Sequence, residues 1–268
     1  MTDSVQSEGR LPAGAARARM MLVTPARIAY RGLFGKPGVR AMGAWLIYVA
    51  LDQPFQISRE GGEPTREHLA LVPPYQPHRV ATADREIAQI LLEAETVEGA
   101  DAVEPLFATH AQRTAMRTRI LAAFDQPLGA ADEFDHHFFG VEIAARALDP
   151  RISGAIARII ACQGANVTAQ TCAARAGLSF SRFTHLFSTQ TQTTFRRFRA
   201  WKRARSLMSM VGGAPSLVHV ALDAGYADST HFSHAVRQFY GYTPRDIFAG
   251  SRRLSVVSRW PSSGNAAA

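Results

Sequence analysis

The chain has 268 residues, 47% hydrophobic, 19% charged and 9% aromatic, with a formal net charge of +8. This composition excludes a wholly disordered, collagen-like or disulfide-dense chain and fits one or two globular domains. The charge is uneven: residues 1–150 carry 15 Lys and Arg against 19 Asp and Glu, net −4, whereas residues 151–268 carry 15 against 3, net +12.

A single-sign excess of that size repels itself unless an anionic partner answers it, and nucleic-acid phosphate is the commonest such partner. Membrane lipid and a plain solubilising surface are the rival readings. The longest apolar run, Ala44–Leu51, is far too short to span a bilayer, and the first twenty residues lack an export signal. Two cysteines, Cys162 and Cys172, offer no zinc spacing and read as core residues of a protein in a reducing cytoplasm.

Residues 1–20 have no apolar period and read as a disordered tail. Residues 21–100 change to short β-type runs: Trp45–Leu51, Phe55–Ile57, His68–Val72, His78–Val80 and Glu86–Leu92, separated by Gly61-Gly62, Pro73-Pro74 and similar punctuation. Strands at that spacing predict a small β-barrel or sandwich. Residues 101–147 read as a helical linker or dimerisation region, interrupted near Pro127-Leu128-Gly129 and including a helix over 135–145.

From Asp149-Pro150 the pattern is helical. Ile152, Ile156, Ile159 and Ile160 lie on one stripe, Thr168, Ser179 and Ser216 stand where N-caps stand, and Gly177 and Gly225 where helices stop. Ala173–Leu178 and Ala221–Tyr226 both read Ala-x-x-Ala-Gly-apolar, 48 residues apart. Phe183–Phe187 follows the first copy and Phe232–Val236 the second, so two phrases repeat in register. Each copy describes a helix, a glycine turn and a second helix with an apolar stripe, which is a helix-turn-helix. Between them Phe195–Met208 reads as one long helix, a strut with six Lys and Arg in Arg196–Arg205, able to hold two recognition helices about one duplex turn, ~34 Å, apart.

Residues 150–250 resemble the DNA-binding domain of AraC/XylS-type transcription regulators. Gly177-Leu178-Ser179, Arg182-Phe183, Leu186-Phe187, Phe198, Arg203-Ala204, the stretch Gly225–Ser233, Phe239 and Gly241-Tyr242-Thr243-Pro244 carry the likeness. Gln192 stands where the family usually has Gly, His234 where it has Arg and Val236 where it has Phe. Carried over position by position, the resemblance implies that Ser181, Arg182, Thr184 and His185 of the first recognition helix and Ser229, Thr230, His231 and His234 of the second face DNA. Arg196, Arg197 and Arg237 join them as basic contacts. Arg182 is the best guanine reader, because a guanidinium matches O6 and N7. Phe183, Leu186, Phe187, Phe232 and Val236 have the spacing of a buried stripe.

The front half resembles, on Leu71–Val80, the cupin-like sensing domain of the same family. No His-x-His pair is present, His68 and His78 are ten residues apart, and adjacent His136-His137 beside Asp135 diverge by about 100° on a helix; no metal and no cofactor are expected. Trp45, Tyr48, His78 and Arg79 are the polar handles for a small effector inside the barrel.

The expected fold is therefore α+β: an N-terminal small cupin-like β-barrel with a helical linker, then an all-α domain over 150–250 with two helix-turn-helix motifs and a tail at 251–268. The expected function is a cytoplasmic, nucleoid-associated bacterial transcription regulator, an activator and not an enzyme. Its expected partners are promoter DNA, a small effector, RNA polymerase and a second copy of the chain, with no membrane. The alternatives are a cupin-type enzyme with a basic appendage, for which no catalytic constellation is found, and a non-specific architectural nucleic-acid binder.

Overall fold

The computed structural model describes residues 17–127, 133–162, 167–210, 226, 228–250 and 254–258. Nine strands are described: β1 Met20–Val23, β2 Arg27–Leu33, β3 Ala44–Val49, β4 Phe55–Arg59, β5 Thr65–Glu67, β6 Leu69–Val72, β7 His78–Ala81, β8 Glu86–Glu93 and β9 Ser255–Ser258. They form a six-stranded sheet in the order β6-β3-β8-β2-β1-β9 and a three-stranded sheet in the order β5-β4-β7. All pairs are antiparallel except β1 with β9.

The continuous apolar run at β3 follows from burial of both its faces. Ala44, Leu46 and Tyr48 point into the core between the two sheets, where Phe55, Ile57 and Val80 meet them. Trp45, Ile47 and Val49 point the other way, into a second core beneath the linker helices. That layer contains the short helix α1 Ala100–Val103, α2 His110–Ala123 and α3 Phe134–Phe139. Thr109 and Gln112 close a capping box at the start of α2. The helix expected over 135–145 ends instead at Phe139, because Gly140 takes a left-handed conformation and its N–H bonds the His136 carbonyl. Leu128-Gly129, the expected interruption, lies outside the described residues, as do Ser216, Ala221–Gly225, most of the 1–20 tail and most of the 251–268 tail.

The described part of that last tail corrects the reading of it as a plain tail: Ser255–Ser258 pairs in parallel with Met20–Val23. Leu254 and Val256 pack against the inter-sheet core, so apolar burial recruits them to the sheet edge.

The C-terminal helices are α4 Pro150–Ala161, α5 Ala169–Arg175, α6 Phe180–Thr191, α7 Phe195–Met210, α8 Ser229–Tyr240 and α9 Pro244–Gly250. They divide between two cores. Residues from α4, α5, α6 and the start of α7 form one of their own. Trp201, Ala204 and Leu207 of α7 and Phe232, Val236, Phe239 and Tyr240 of α8 belong to the inter-sheet core. The last turn of α8 meets the β domain backbone to backbone: the Gly38 N–H donates to the Gly241 carbonyl at 2.7 Å, and the Ala41 N–H to that of Gln238 at 3.1 Å. Gly241 has φ +71 and a side chain there would strike the Gly38 carbonyl oxygen at 2.6 Å, so both its conformation and its neighbour require glycine.

An ionic cluster joins α7 to the end of β8. Glu93, fully buried, accepts from the Trp201 indole at 2.8 Å, Lys202 Nζ at 2.5 Å and Arg205 Nε at 2.6 Å. Lys202 also pairs with buried Glu95, and Arg205 Nη2 donates to the Thr24 carbonyl at 2.7 Å. Burial alone would raise the Glu93 carboxyl, but the two cations and their hydrogen bonds outweigh it and hold it below the ordinary range. Glu95 is raised: burial leads, Lys202 opposes it, and the Glu93 charge adds to it.

His78 is a second buried polar group. Its Nδ1 lies 2.8 Å from the Gln76 carbonyl and its Nε2 2.8 Å from the Tyr48 hydroxyl. A carbonyl only accepts, so Nδ1 carries the proton and Nε2 accepts from Tyr48. Burial, then the nearby Arg40 cation, lowers the imidazole to about 4.

Two stability predictions follow. Glu93→Gln leaves Arg205 buried without its carboxylate and should cost about 3 kcal/mol or more in urea unfolding followed by Trp201 emission; a loss below about 1 kcal/mol would show that the cluster is not structural. His78 binds no proton when folded until pH nears 4, whereas the unfolded chain binds one below the ordinary value of 6.5. Stability contributed by its neutral form is therefore present above pH 6.5 and falls as pH drops toward 4, by on the order of 3 kcal/mol. His78→Gln should flatten the unfolding profile in that window, and a profile identical to the parent would remove His78 as the cause.

Candidate nucleic-acid interface

The first helix-turn-helix is built by short-range chemistry. Thr168 caps α5 in a capping box with Thr171, and Gly177 at φ +64 ends the helix. The Leu178 N–H then returns to the Ala173 carbonyl at 3.0 Å, and Ser179 caps α6 by accepting from the Arg182 N–H at 3.3 Å. Phe183 and Phe187, four residues apart on α6, are fully buried and meet Phe195 of α7 at ring separations of 5.8 and 5.2 Å. Burial of that row fixes the opposite face of α6 outward.

On that outward face Ser181, Arg182 and His185 are exposed. Thr184 is half-buried and its hydroxyl donates back to the Phe180 and Ser181 carbonyls at 3.0 and 3.1 Å, which turns it toward its own helix. Gln192 adopts φ 54 and ψ 25 at the end of α6, the left-handed conformation that a glycine would take without the roughly 1 kcal/mol penalty of a side chain.

The second recognition helix repeats the design. Asp228 caps α8 by accepting from the Thr230 and His231 N–H groups at 2.8 and 2.9 Å, and its second oxygen pairs with His231 Nδ1 at 2.9 Å. Phe232 and Val236 are buried, as Phe183 and Phe187 are, while Ser229, Thr230, His231, His234 and Arg237 are exposed. Of the second Ala-x-x-Ala-Gly-apolar phrase only Tyr226 is described, and it is buried against Phe232 at 5.3 Å.

The strut differs from expectation. Residues 195–210 form the expected long helix, but its six cations do not make one basic surface. Lys202 and Arg205 are buried in the Glu93 cluster, Arg199 donates to the Val167 carbonyl at 2.6 Å, and Arg203 lies over the Tyr226 ring at 5.4 Å. Arg196 and Arg197 are exposed, and Arg197 also stacks on Tyr75 at 4.4 Å and donates to its carbonyl at 3.2 Å. The reason is helical spacing: Trp201, Lys202 and Arg205 share the face turned to the β domain.

Cysteine placement is mixed. Cys172 is buried, with its thiol pushed up by that burial, but Cys162 is exposed at the end of α4 and is not a core residue.

The four effector handles do not converge. Trp45 packs beneath the linker helices, Arg79 is exposed on β7, and Tyr48 and His78 bond each other in the inter-sheet core. The structure offers instead a cavity of about 570 Å³ between β2 and β8 on one side and α7, the end of α8 and α9 on the other. Ile28, Met42, Leu91, Met208, Ile247 and Leu254 give it apolar walls, with Arg40, Gln89 and Tyr242 among its polar groups. No periodic signal marks these residues, because they come from five separate segments that only the fold unites. Among the described residues no cluster of His, Cys, Asp and Glu is arranged to hold a metal, and no helix is long and apolar enough to cross a membrane.

A family described as a helix-turn-helix domain matches residues 172–250. The invasion protein InvF of Salmonella typhimurium is 29% identical over 72 residues, which are 26% of this chain and 33% of InvF; the match spans about a third of the length of these curated relatives. ToxT from Vibrio cholerae O395 superposes with a TM-score of 0.56 at 10% identity, covering 85% of this chain and 99% of ToxT. A structure of wild-type ToxT from Vibrio cholerae strain SCE256 with an unsaturated fatty acid bound gives 0.50 at 12% identity, covering 86% and 98%. At such identities the likeness is one of fold, and it extends over both halves. The chain thus carries a segment, residues 172–250, that matches a helix-turn-helix domain, joined to an N-terminal β domain in a two-domain fold also seen in ToxT.

Proposed function

We propose that the protein is a sequence-specific, DNA-binding transcription regulator whose N-terminal half responds to a small molecule. The observation that carries this reading is the pair of outward faces on α6 and α8. Each is set by a buried row four residues apart and begins at a side-chain cap, and together they present Arg182, His185, His231 and His234 to solvent. Helix N-termini of this kind enter the major groove, where the first exposed residues reach base edges.

In this reading Arg182 pairs with guanine, Ser181, His185, Ser229, Thr230, His231 and His234 contact bases, water or phosphates, and Arg196 and Arg237 neutralise phosphates. Thr184 plays a lesser part because its hydroxyl is engaged by its own helix, and Arg197 because Tyr75 holds it. The cavity between the halves provides the effector with a place, and the fatty acid bound to ToxT supports a ligand-responsive role for this architecture. RNA polymerase and a second copy of the chain complete the set of partners for an activator working in the bacterial cytoplasm on a repeated operator.

The test begins with selection of an operator from random duplex by the full chain. Arg182→Ala should then weaken binding to that operator by about 1–3 kcal/mol and relax preference at one base pair. Arg196→Ala should weaken all duplexes alike and lower the salt slope by about 1. A protein that enriches no sequence, or binds all with equal affinity, is an architectural binder and not a regulator of this type.

A further inference from the structure

Phe180 opens α6, immediately after the capping Ser179. Phe183 and Phe187 follow it by three and seven residues, the spacing of one helical row. Their rings pack with Phe195 and Phe198 at separations of 5.2 to 5.9 Å, yet Phe180 stands outside that core and is 54% exposed. Among the described residues the other exposed large apolar side chains are Leu33, Val39, Val141 and Val257; none is aromatic and none stands on a C-terminal helix. The Phe180 carbonyl accepts from the Thr184 hydroxyl at 3.0 Å, and the Ser179 cap accepts from the Arg182 N–H at 3.3 Å. The backbone that carries the ring is therefore helical from its first residue, and Ser181 and Arg182 beside it are exposed as well.

A single apolar side chain in solvent is ordinary on a protein surface; the position gives this one its meaning. It lies at the N-terminal tip of the helix proposed to enter the major groove, where the first residues reach base edges. A phenyl ring has no donor for a phosphate oxygen, so it adds nothing to the electrostatic part of binding. Base edges in the major groove present donors, acceptors and one apolar group, the thymine C5-methyl, which phenylalanine suits as a contact. We propose that Phe180 is a specificity-determining residue of α6 that reads a thymine through this methyl group. Arg182 projects about 200° around the helix from it, so the two side chains reach different bases from one helix end, guanine by hydrogen bonds and thymine by apolar contact. The assignment rests on the DNA-binding reading above and adds a second base to what α6 selects.

The experiment uses the full chain and the operator that it selects, with each thymine in turn replaced by deoxyuridine, which keeps the pairing edge and lacks the methyl. One replacement should weaken binding by the parent about threefold to tenfold, the effect of losing one buried methyl contact. Phe180→Ala should bind the unmodified operator more weakly by a similar factor, be indifferent to that replacement and keep the parent's salt slope. Phe180→Leu should retain part of the methyl preference. If no thymine in the operator separates the parent from Phe180→Ala, either because the parent is indifferent to every replacement or because the variant stays as sensitive as the parent, the proposal is overturned. Both of those results leave the DNA-binding reading standing, since enrichment of an operator by the parent reports on it separately; a parent that enriches no sequence overturns both.

Discussion

The junction of α7 with the β domain is organised by one buried carboxylate. Glu93 ends β8, a strand flanked on both sides within the larger sheet, and it is met by an indole and two cations that successive turns of α7 deliver to the same face. A charge placed there without partners would be untenable, and the partners would be equally so without it. Apolar residues of the same volume could bury comparable area, but they would allow α7 to rotate or slide. Hydrogen bonds from Trp201, Lys202 and Arg205 to the one carboxylate are directional, so they tie the rotation and height of α7 to the sheet.

From that constraint comes an asymmetry between the α6 and α8 parts of the helical region. The first has its own core of α4, α5, α6 and the start of α7 and meets the linker through Arg146, which donates to the Gln190 carbonyl at 2.8 Å. The second has no comparable independence among the described residues. Phe232, Val236, Phe239 and Tyr240 lie in the core that also holds Leu46, Phe55 and Ile57, and Gly241 is pressed against Gly38. Among the described residues a change in the β domain is therefore transmitted by direct packing to α8, and to α6 by way of α7 and the linker. The cavity lies along the directly packed route.

Much of this was legible from residues alone, and the failures have specific physical causes. The α6 and α8 faces were readable because a buried aromatic row and a capping Ser or Asp are local signals that need nothing from the rest of the chain. The strands β3 and β8 were readable as continuous apolar runs. Strand β9 was not, since Ser255–Ser258 becomes a strand only when the edge of β1, more than 230 residues earlier in the sequence, is presented to it. The effector handles were misplaced for a related reason. Tyr48 and His78 look like free polar groups in sequence, but each satisfies the other. Arg40 gives no sequence signal, because a buried arginine differs from an exposed one only by what surrounds it.

The charge asymmetry takes on a different meaning once placed in three dimensions. A net of +12 over residues 151–268 suggests a wholly DNA-facing excess, yet Lys202 and Arg205 are spent on Glu93 and Glu95 from the acidic half. Opposite charges in the two halves thus do two jobs. Where they are buried together they align the domains, in a geometry that salt screens little. Where the basic ones remain exposed, as at Arg182, Arg196 and Arg237, they are left to an external polyanion whose attraction salt screens strongly. If the proposed DNA partner is the right one, ionic strength should act on that encounter while leaving the α7 junction, and with it the relative placement of the two halves, nearly unchanged.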